Sequence, residues 1–363
     1  MDMNFNLSVQ RQINPSLVVE VAYNGVMGAH LQAGILNYNQ TPTKYLNQYG
    51  NAVLGYNIND ARAVALGFTE PYPGFSAQFG SRATVGQSLR PFPQYTNIDT
   101  AAGGGDHSGH STYHAGLVRL EKRYSSGLSF QTSYVFSKLL TDADSYWFGS
   151  QAADQYNRGL EKSIGQYDVT HNFKLGLVYD LPFGKGKRFA TGGIGAAILG
   201  NWRVSSTNFY SSGQPVGIGT NTSLNIFNGR VPAYVSSYEG WQAKPIGDHF
   251  DPSVDNFFVP YGTGPFPLQG SATNLNGIGN VTRYNPKLRQ FGNYNENISV
   301  AKAIPIHESI RLEFRAEAFN VLNRVRFSTG PGTLQDPNFG HLSSSSDLLN
   351  TPRQMQFALK LYF

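Results

Sequence analysis

The stretch that decides the fold is Tyr113–Lys138, YHAGLVRLEKRYSSGLSFQTSYVFSK. Read with a period of two, Gly116, Val118 and Leu120 share a face against Arg119, Glu121 and Arg123. Ser125-Ser126-Gly127 then supplies a turn, and Leu128, Phe130, Thr132, Tyr134 and Phe136 resume against Ser129, Gln131, Ser133 and Ser137. This is a β-hairpin with one apolar and one polar face. A soluble sheet with one side on a core reads this way, and so does a barrel wall with lipid outside and a wet lumen inside.

The same scheme recurs along the chain. Phe5, Leu7 and Val9 are followed, after a turn at 13–16, by Leu17, Val19, Val21 and Tyr23. HNFKLGLVYDLPFG sets Phe173, Leu175, Leu177, Tyr179 and Leu181 on one side, and NWRVSSTNFYSSG is a weaker strand whose alternation slips near Phe209, as a bulge would make it do. In NENISVAKAIPI and SIRLEFRAEAFN, Ile298, Val300, Ile304, Leu312 and Phe314 are apolar; Arg311, Glu313, Arg315 and Glu317 line up on the opposite face, as a charged lumen wall would. The chain closes on RQMQFALKLYF, with Met355, Phe357, Leu359, Leu361 and Phe363 on one face.

Nine strands are therefore expected, at about 4–13, 16–24, 113–124, 127–138, 171–181, 201–212, 295–304, 309–320 and 353–363, most of them near the ~9–11 residues of a tilted membrane strand. Their connections alternate between short (14–15, 125–126, 182–200, 305–308) and long (25–112, 139–170, 213–294, 321–352). Soluble sandwiches mix loop lengths, whereas outer-membrane barrels have short periplasmic turns and long extracellular loops. The expectation is an all-β, antiparallel transmembrane barrel, of which these strands are a part. An odd count, with the first strand starting outside, indicates a piece of a larger barrel or a missed strand in 25–112 or 213–294.

Composition agrees. Of 363 residues only 14% are charged, 40 are Gly, and aromatics reach 13% with 21 Tyr and 24 Phe. Mean hydropathy is −0.32 and no segment approaches the ~18 apolar residues of a spanning helix. The net charge of +5 comes from scattered Lys and Arg, with GKGKR at 184–188 the one compact run, which argues against nucleic acid as a partner. The absence of Cys excludes disulfides, Cys nucleophiles and Cys metal sites. MDMNFNLSVQ has neither a basic nor an apolar signal region, so the chain is expected either to stay inside or to be part of something longer.

The strings FNLSVQRQINPSLVVEVAYNGVMGAHL, RPFPQY (90–95), the 113–138 hairpin, QYDVTHNFKLGLVYDLPFGKGKRF and RLEFRAEAFNVLNRVRF, with the terminal Phe363, resemble the C-terminal barrel of Oar-like TonB-dependent outer-membrane receptors, in the same order over most of the chain. The resemblance implies a barrel of about 22 strands with a plugged lumen, energised through TonB by an N-terminal part not seen here, the plug, regulatory domain and coupling box being absent from residues 1–363. Such a fragment alone is not expected to transport. It also implies that Phe357, Leu359, Leu361 and Phe363 form the signal read by the outer-membrane assembly machinery.

Catalytic and metal chemistry is sparse. DHSGHSTYH offers Asp106, His107, His110 and His114 as weak metal candidates, and the 139–170 loop offers Asp142, Asp144 and Asp154 as weak calcium ligands lacking a 12-residue pattern. Asp168 and His171 are better read as local backbone partners than as an acid-base pair. GGIGAAILG at 192–200 is no dinucleotide fingerprint and reads as lining a periplasmic turn. No Gly-x-Ser-x-Gly elbow is present, so no enzyme and no cofactor is expected. In 213–294, Tyr234, Tyr238, Trp241, Phe257, Phe258, Tyr261 and Phe266 stand among Asn, Gly and Pro. They suit either stacking on sugars or peptides, or packing that holds large loops together. The function expected is a receptor that binds and imports an unidentified large solute; the alternatives are a non-energised adhesin or secretion channel, and a secreted all-β carbohydrate-binding module.

Overall fold

The computed structural model describes residues 1–101, 106–143, 152–244, 250–269, 278–307, 310–330, 332–342 and 349–363. The long strands are β1 (Asp2–Asn14), β2 (Leu17–Ala33), β3 (Asp106–Ser125), β4 (Leu128–Thr141), β6 (His171–Asp180), β7 (Trp202–Ser211), β10 (Asn293–His307), β11 (Ile310–Phe319) and β12 (Gln354–Tyr362). They form one sheet in the order β1-β2-β3-β4-β6-β7-β10-β11-β12, every neighbour antiparallel. The short β5 (Ser163–Ile164) adds to β4, and β8 (Pro215–Val216) pairs with β9 (Asn285–Arg289) in a separate ribbon. The sheet is a barrel wall that does not close: the outer edges of β1 and β12 have no strand beside them among the described residues.

The register carries one chemistry across each face. Val21 pairs with Val9 and Val118; Tyr134 with Val118 and Phe173; Val204 with Tyr179 and Val300; Phe314 with Lys302 and Leu359. That face is apolar, and Leu7, Val9, Val21, Val118, Phe136, Phe357, Leu359 and Leu361 on it are exposed. The opposite face carries Gln10, Glu20, Arg119, Gln131, Lys174, Arg203, Ser299, Arg315 and Lys360 in the same partner chains. An apolar exposed face running across a whole sheet is far larger than the few hundred Å² a water-soluble surface tolerates. Toward the long-loop end it is edged by rings: Tyr23 stacks on His114, Tyr134 on His171 and Phe173 on Tyr210, while Phe136 meets His171 and Tyr210 meets Tyr294 at a tilt, all with centroids 5.3–6.2 Å apart. Such a row has the placement of an interfacial aromatic girdle.

Three expectations need correction. Strands β2 and β3 continue past the predicted ends, Gly25 to Ala33 pairing with His114 to Asp106, because a hairpin arm above the apolar band still satisfies its backbone by pairing. There is no bulge at Phe209: its register with both neighbours is unbroken, and it turns to the polar face with the Lys174 ammonium 5.7 Å from its ring. The irregularities of the main sheet lie instead beside the short turns, at Gln12/Asn14, Lys122/Ser125 and Pro305/His307, and in the β2–β3 extension toward the long loops, at Ala29/Leu31 and Leu31/Ala33. Third, 192–200 contains a helix, α5 (Gly193–Leu199), where a plain turn was expected.

Val300 and Ser299 sit side by side at mid-strand on opposite faces, so they test the two-faced reading at one depth. In the intact barrel in bilayers, Val300→Arg is expected to cost ~2–4 kcal/mol while Ser299→Arg, on the polar side, costs under ~1 kcal/mol. Urea titrations of both variants in vesicles check this; equal losses would refute the face assignment.

Candidate functional site

All four long connections leave the same end of the sheet, and they fold together there. The 34–105 connection carries four short helices, α1 (Thr43–Leu54), α2 (Ala61–Ala65), α3 (Phe75–Phe79) and α4 (Val85–Ser88). They enclose a core of Leu46, Leu54, Ile58, Ala63, Phe75, Ala83 and Val85, completed by Ile226 from the 212–292 connection. A second core joins Val216, Val235, Trp241, Phe257, Phe258, Phe266 and Leu288 to Phe327, Leu334, Phe339 and Leu342 from the connection between β11 and β12. The buried apolar core thus lies in the loops, above the sheet.

Polar latches tie the connections to one another. Asn51 Oδ1 accepts from the Asn225 amide N–H at 2.6 Å, and the Thr41 N–H donates to Ile226 O at 3.0 Å. Asp154 accepts from Gln40 Nε2 and Thr43 Oγ1, both at 2.8 Å. Gly219 and Gly332 to Leu334 exchange backbone hydrogen bonds of 2.9 and 3.1 Å. The buried Glu161 carboxylate holds Arg283 at 2.5 Å and Arg230 at 3.6 Å, and accepts from the Ala153 N–H at 2.7 Å. Burial pushes that carboxyl up, but the two guanidinium groups and the Ala153 N–H more than offset it and hold Glu161 below the usual carboxylate range. Glycine is required where Phe258 meets the chain: Gly340 has φ +75°, and a Cβ there would lie 2.8 Å from Phe258 N.

The RPFPQY motif is one of these latches. Asn39 Nδ2 donates to Phe92 O and Tyr95 O at 3.0 and 2.8 Å, while Gln87 Nε2 donates to Pro93 O at 2.7 Å. Arg90 is buried with its guanidinium 3.5 Å from the centre of the Phe227 ring, linking the first connection to the third. Burial lowers its pKa to about 10.

The sequence candidates fall into place around this cap. Trp241 is only 3% exposed; its Nε1 donates to Ser237 O at 2.7 Å and its ring lies between Tyr238 and Phe266, so it is core and not an open stacking platform. Tyr238 donates to Asn280 O at 2.5 Å, and the Tyr261 hydroxyl accepts from the Gln269 N–H at 2.8 Å, so both hydroxyls serve the loops themselves. Tyr234 is half-buried. A cleft of about 340 Å³ opens beside them, lined by Tyr238, Glu239, Trp241, Gln242, Asn285 and Lys287, with a Lys287–Glu239 ion pair of 2.5 Å at its rim.

The histidines do not converge. His107, His110 and His114 are spread along β3, where a strand rises ~3.4 Å per residue. His114 Nδ1 shares a 2.6 Å hydrogen bond with the Tyr23 hydroxyl, and His110 lies 3.8 Å from Asp142. Asp142 and Asp154 serve different latches, and Asp144 is outside the described residues. Asp168 accepts from the Leu139 N–H and from Arg289 Nη2, each at 2.6 Å, whereas His171 pairs with the Tyr134 hydroxyl at 2.7 Å. Among the described residues no three His, Asp or Glu are placed to hold a metal ion. Arg311, Glu313, Arg315 and Glu317 lie on the polar face, with Arg315 2.8 Å from Glu313 and 3.7 Å from Glu317. Phe357, Leu359 and Leu361 are on the apolar face, and Phe363 is 95% exposed just beyond β12.

The sequence profile of an outer membrane beta barrel domain matches residues 1–356. The chain belongs to that family. Its place is the bacterial outer membrane, with the apolar face of the sheet toward lipid. A search of curated protein sequences gives no match. Among solved structures, this barrel domain is similar to the outer membrane transporter YddB from Escherichia coli, at 7% identity and a TM-score of 0.42, with 100% of this chain on 32% of that one. It is also similar to the ferripyoverdine receptor of the outer membrane of Pseudomonas aeruginosa bound to ferripyoverdine, at 9% identity and a TM-score of 0.39, covering 100% and 27%. The barrel domain spans about a third or less of the length of these structures.

Sequence reading missed the Glu161–Arg283–Arg230 cluster because its members are up to 122 residues apart and nothing local marks them. Removing one partner of a buried ion pair leaves a charge stranded, so Arg283→Ala is expected to destabilise the cap by ~3–5 kcal/mol, with the strands unaffected. Hydrogen exchange at Ala153 should rise sharply while β3 and β4 keep their protection. Because the folded Glu161 pKa is lowered, its contribution is complete above the ordinary carboxylate value of 4.5 and is lost as pH falls through the lowered one. Ala153 should therefore stay protected from neutral pH down to about 5 and open only under stronger acid.

Proposed function

We propose that residues 1–363 are the C-terminal part of a larger outer-membrane barrel, of the Oar-like TonB-dependent receptor kind, whose loop cap binds a large extracellular solute for import. One observation carries this reading: the four long connections form a single packed, latched cap over one end of a sheet whose other face is polar. Such a cap gives the wall a folded surface outside the membrane on which a solute can be held.

Strand direction supports the larger barrel. With nine alternating strands on the path, β1 and β12 run the same way, so they cannot pair antiparallel with each other. A bacterial barrel has an even strand number, which leaves an odd number of further strands to come from elsewhere in the polypeptide. The polar face, including Arg311, Glu313, Arg315 and Glu317, then looks into the lumen. TonB acts through the other part of the protein, and Phe357, Leu359, Leu361 and Phe363 serve the assembly machinery. In the cap, the cleft beside Tyr238 takes the uncharged hydroxyl and amide groups of an oligosaccharide or peptide, and Tyr234 and Tyr261 belong to the same connection.

The test uses the full-length receptor in cells. Gly262→Cys, in the cap, should react with a membrane-impermeant maleimide on intact cells, and Lys185→Cys, in the β6–β7 connection, only after the outer membrane is opened. Fluorescent peptides and maltooligosaccharides are then offered: import that stops when the proton gradient is dissipated is the expected result. Surface binding without import would favour the non-energised adhesin, and labelling of Lys185→Cys on intact cells would reverse the topology.

A further inference from the structure

Helix α5 is a seven-residue segment that exposes its apolar side chains: Ile194, Ile198 and Leu199 are 79%, 60% and 51% accessible. Ile194 and Ile198, four apart, share one side of it. A helix this short has no stability of its own in water. It persists because the sheet holds its C-terminal end. Lys302 Nζ donates to Ala197 O, Ile198 O and Gly200 O at 2.9, 2.7 and 3.2 Å, and Trp202 Nε1 donates to Ile198 O at 2.9 Å. The last carbonyls of α5, which would otherwise need water, are thus satisfied by side chains. The helix end is also clamped to the preceding turn: a Cβ on Gly200 would lie 2.3 Å from Ala196 O and 2.9 Å from the Gly184 Cα.

The two residues that do the holding fix where α5 lies. Trp202 and Lys302 are register partners, the Lys302 ammonium 4.9 Å from the Trp202 ring, and both belong to the apolar face of the sheet. Next along that face come Val204 and Val300, with Phe314 opposite Lys302. The helix therefore hangs from the lipid side of the wall, at the end away from the cap, and its isoleucines continue the apolar band beyond the last strand residues. On its N-terminal side the connection exposes Lys185 and Arg188.

We infer that α5 is a membrane-interface anchor: it lies along the surface of the leaflet with Ile194, Ile198 and Leu199 sunk to the headgroup–acyl boundary, and its occupant is bilayer phospholipid. Continuity with the lipid-facing band, side-chain capping of the helix end, and flanking cations suited to phospholipid phosphates all agree on that surface. That the leaflet is the periplasmic one rests on the orientation proposed above; that the helix is inserted does not.

The chain has no cysteine of its own, so single labels are direct. In the full-length protein, with any cysteine elsewhere replaced by serine, an environment-sensitive nitrobenzoxadiazole label is placed at Ile194→Cys, Leu199→Cys or Lys185→Cys and the protein is reconstituted in phosphatidylethanolamine–phosphatidylglycerol vesicles. Labels at 194 and 199 should emit to the blue of the 185 label. They should be quenched several-fold more by doxyl-lipid than by iodide, with the 185 label reversed. Iodide quenching at 194 equal to that at 185 would overturn the proposal, and so would quenching by neither agent, which would mean that protein covers the helix. In an Ile194→Ser/Ile198→Ser background that keeps the heat-modifiable mobility of the folded barrel, the 199 label should become iodide-accessible; if it stays in lipid, the isoleucines are not the anchor. An inverted barrel would leave these readouts unchanged and would show only in the intact-cell labelling of 185.

Discussion

Everything in this molecule follows from the need to pair every backbone N–H and C=O where no water can reach them. An unbroken antiparallel sheet meets that need, and its pleat then forces alternate residues to opposite sides. From Val9 through Val21 and Val118 to Tyr134 and Phe173, and from Val204 through Val300 to Ala316 and Phe357, each apolar residue stands beside another. A slip of one residue in any pairing would turn charges such as Arg203 and Glu313 into lipid, which is why the register holds through the band and relaxes outside it, beside the short turns and in the Ala29–Ala33 arm of β2.

The loops obey the opposite rule. Above the membrane, water is available and the sheet offers no interior, so the connections build their own. Two apolar cores and a set of buried ion pairs turn four loops into one object, and the aromatics at 241, 257, 258 and 266 are its filling. What that object leaves at its surface is the cleft beside Tyr238, bordered by Glu239, Gln242, Asn285 and Lys287.

Hairpins were legible in the sequence because period-two alternation is a local signal, and Tyr113–Lys138 contains all of it. Its ends were less so: the 25–33 and 106–112 arms lack the alternation, since above the band neither face meets lipid. Phe209 misled for a related reason, being an apolar residue on the polar face beside Lys174. The helices α1 to α4 lie in a stretch rich in Gly, Asn and Pro, and their packing depends on Ile226, far along the chain. The site was visible only as a composition; which aromatics are core and which border a cleft is a tertiary fact.

Those distant contacts also set the order of events in biogenesis. Asn51 meets Asn225 across 174 residues and Glu161 meets Arg283 across 122, so no long loop can complete its core until the strands between have been delivered. Until then Phe257, Phe258, Phe266 and Phe339 lack their native partners, and the chain must cross the periplasm in that state. The cap is accordingly the last part to fold and the part for which chaperone protection on the way to the membrane matters most.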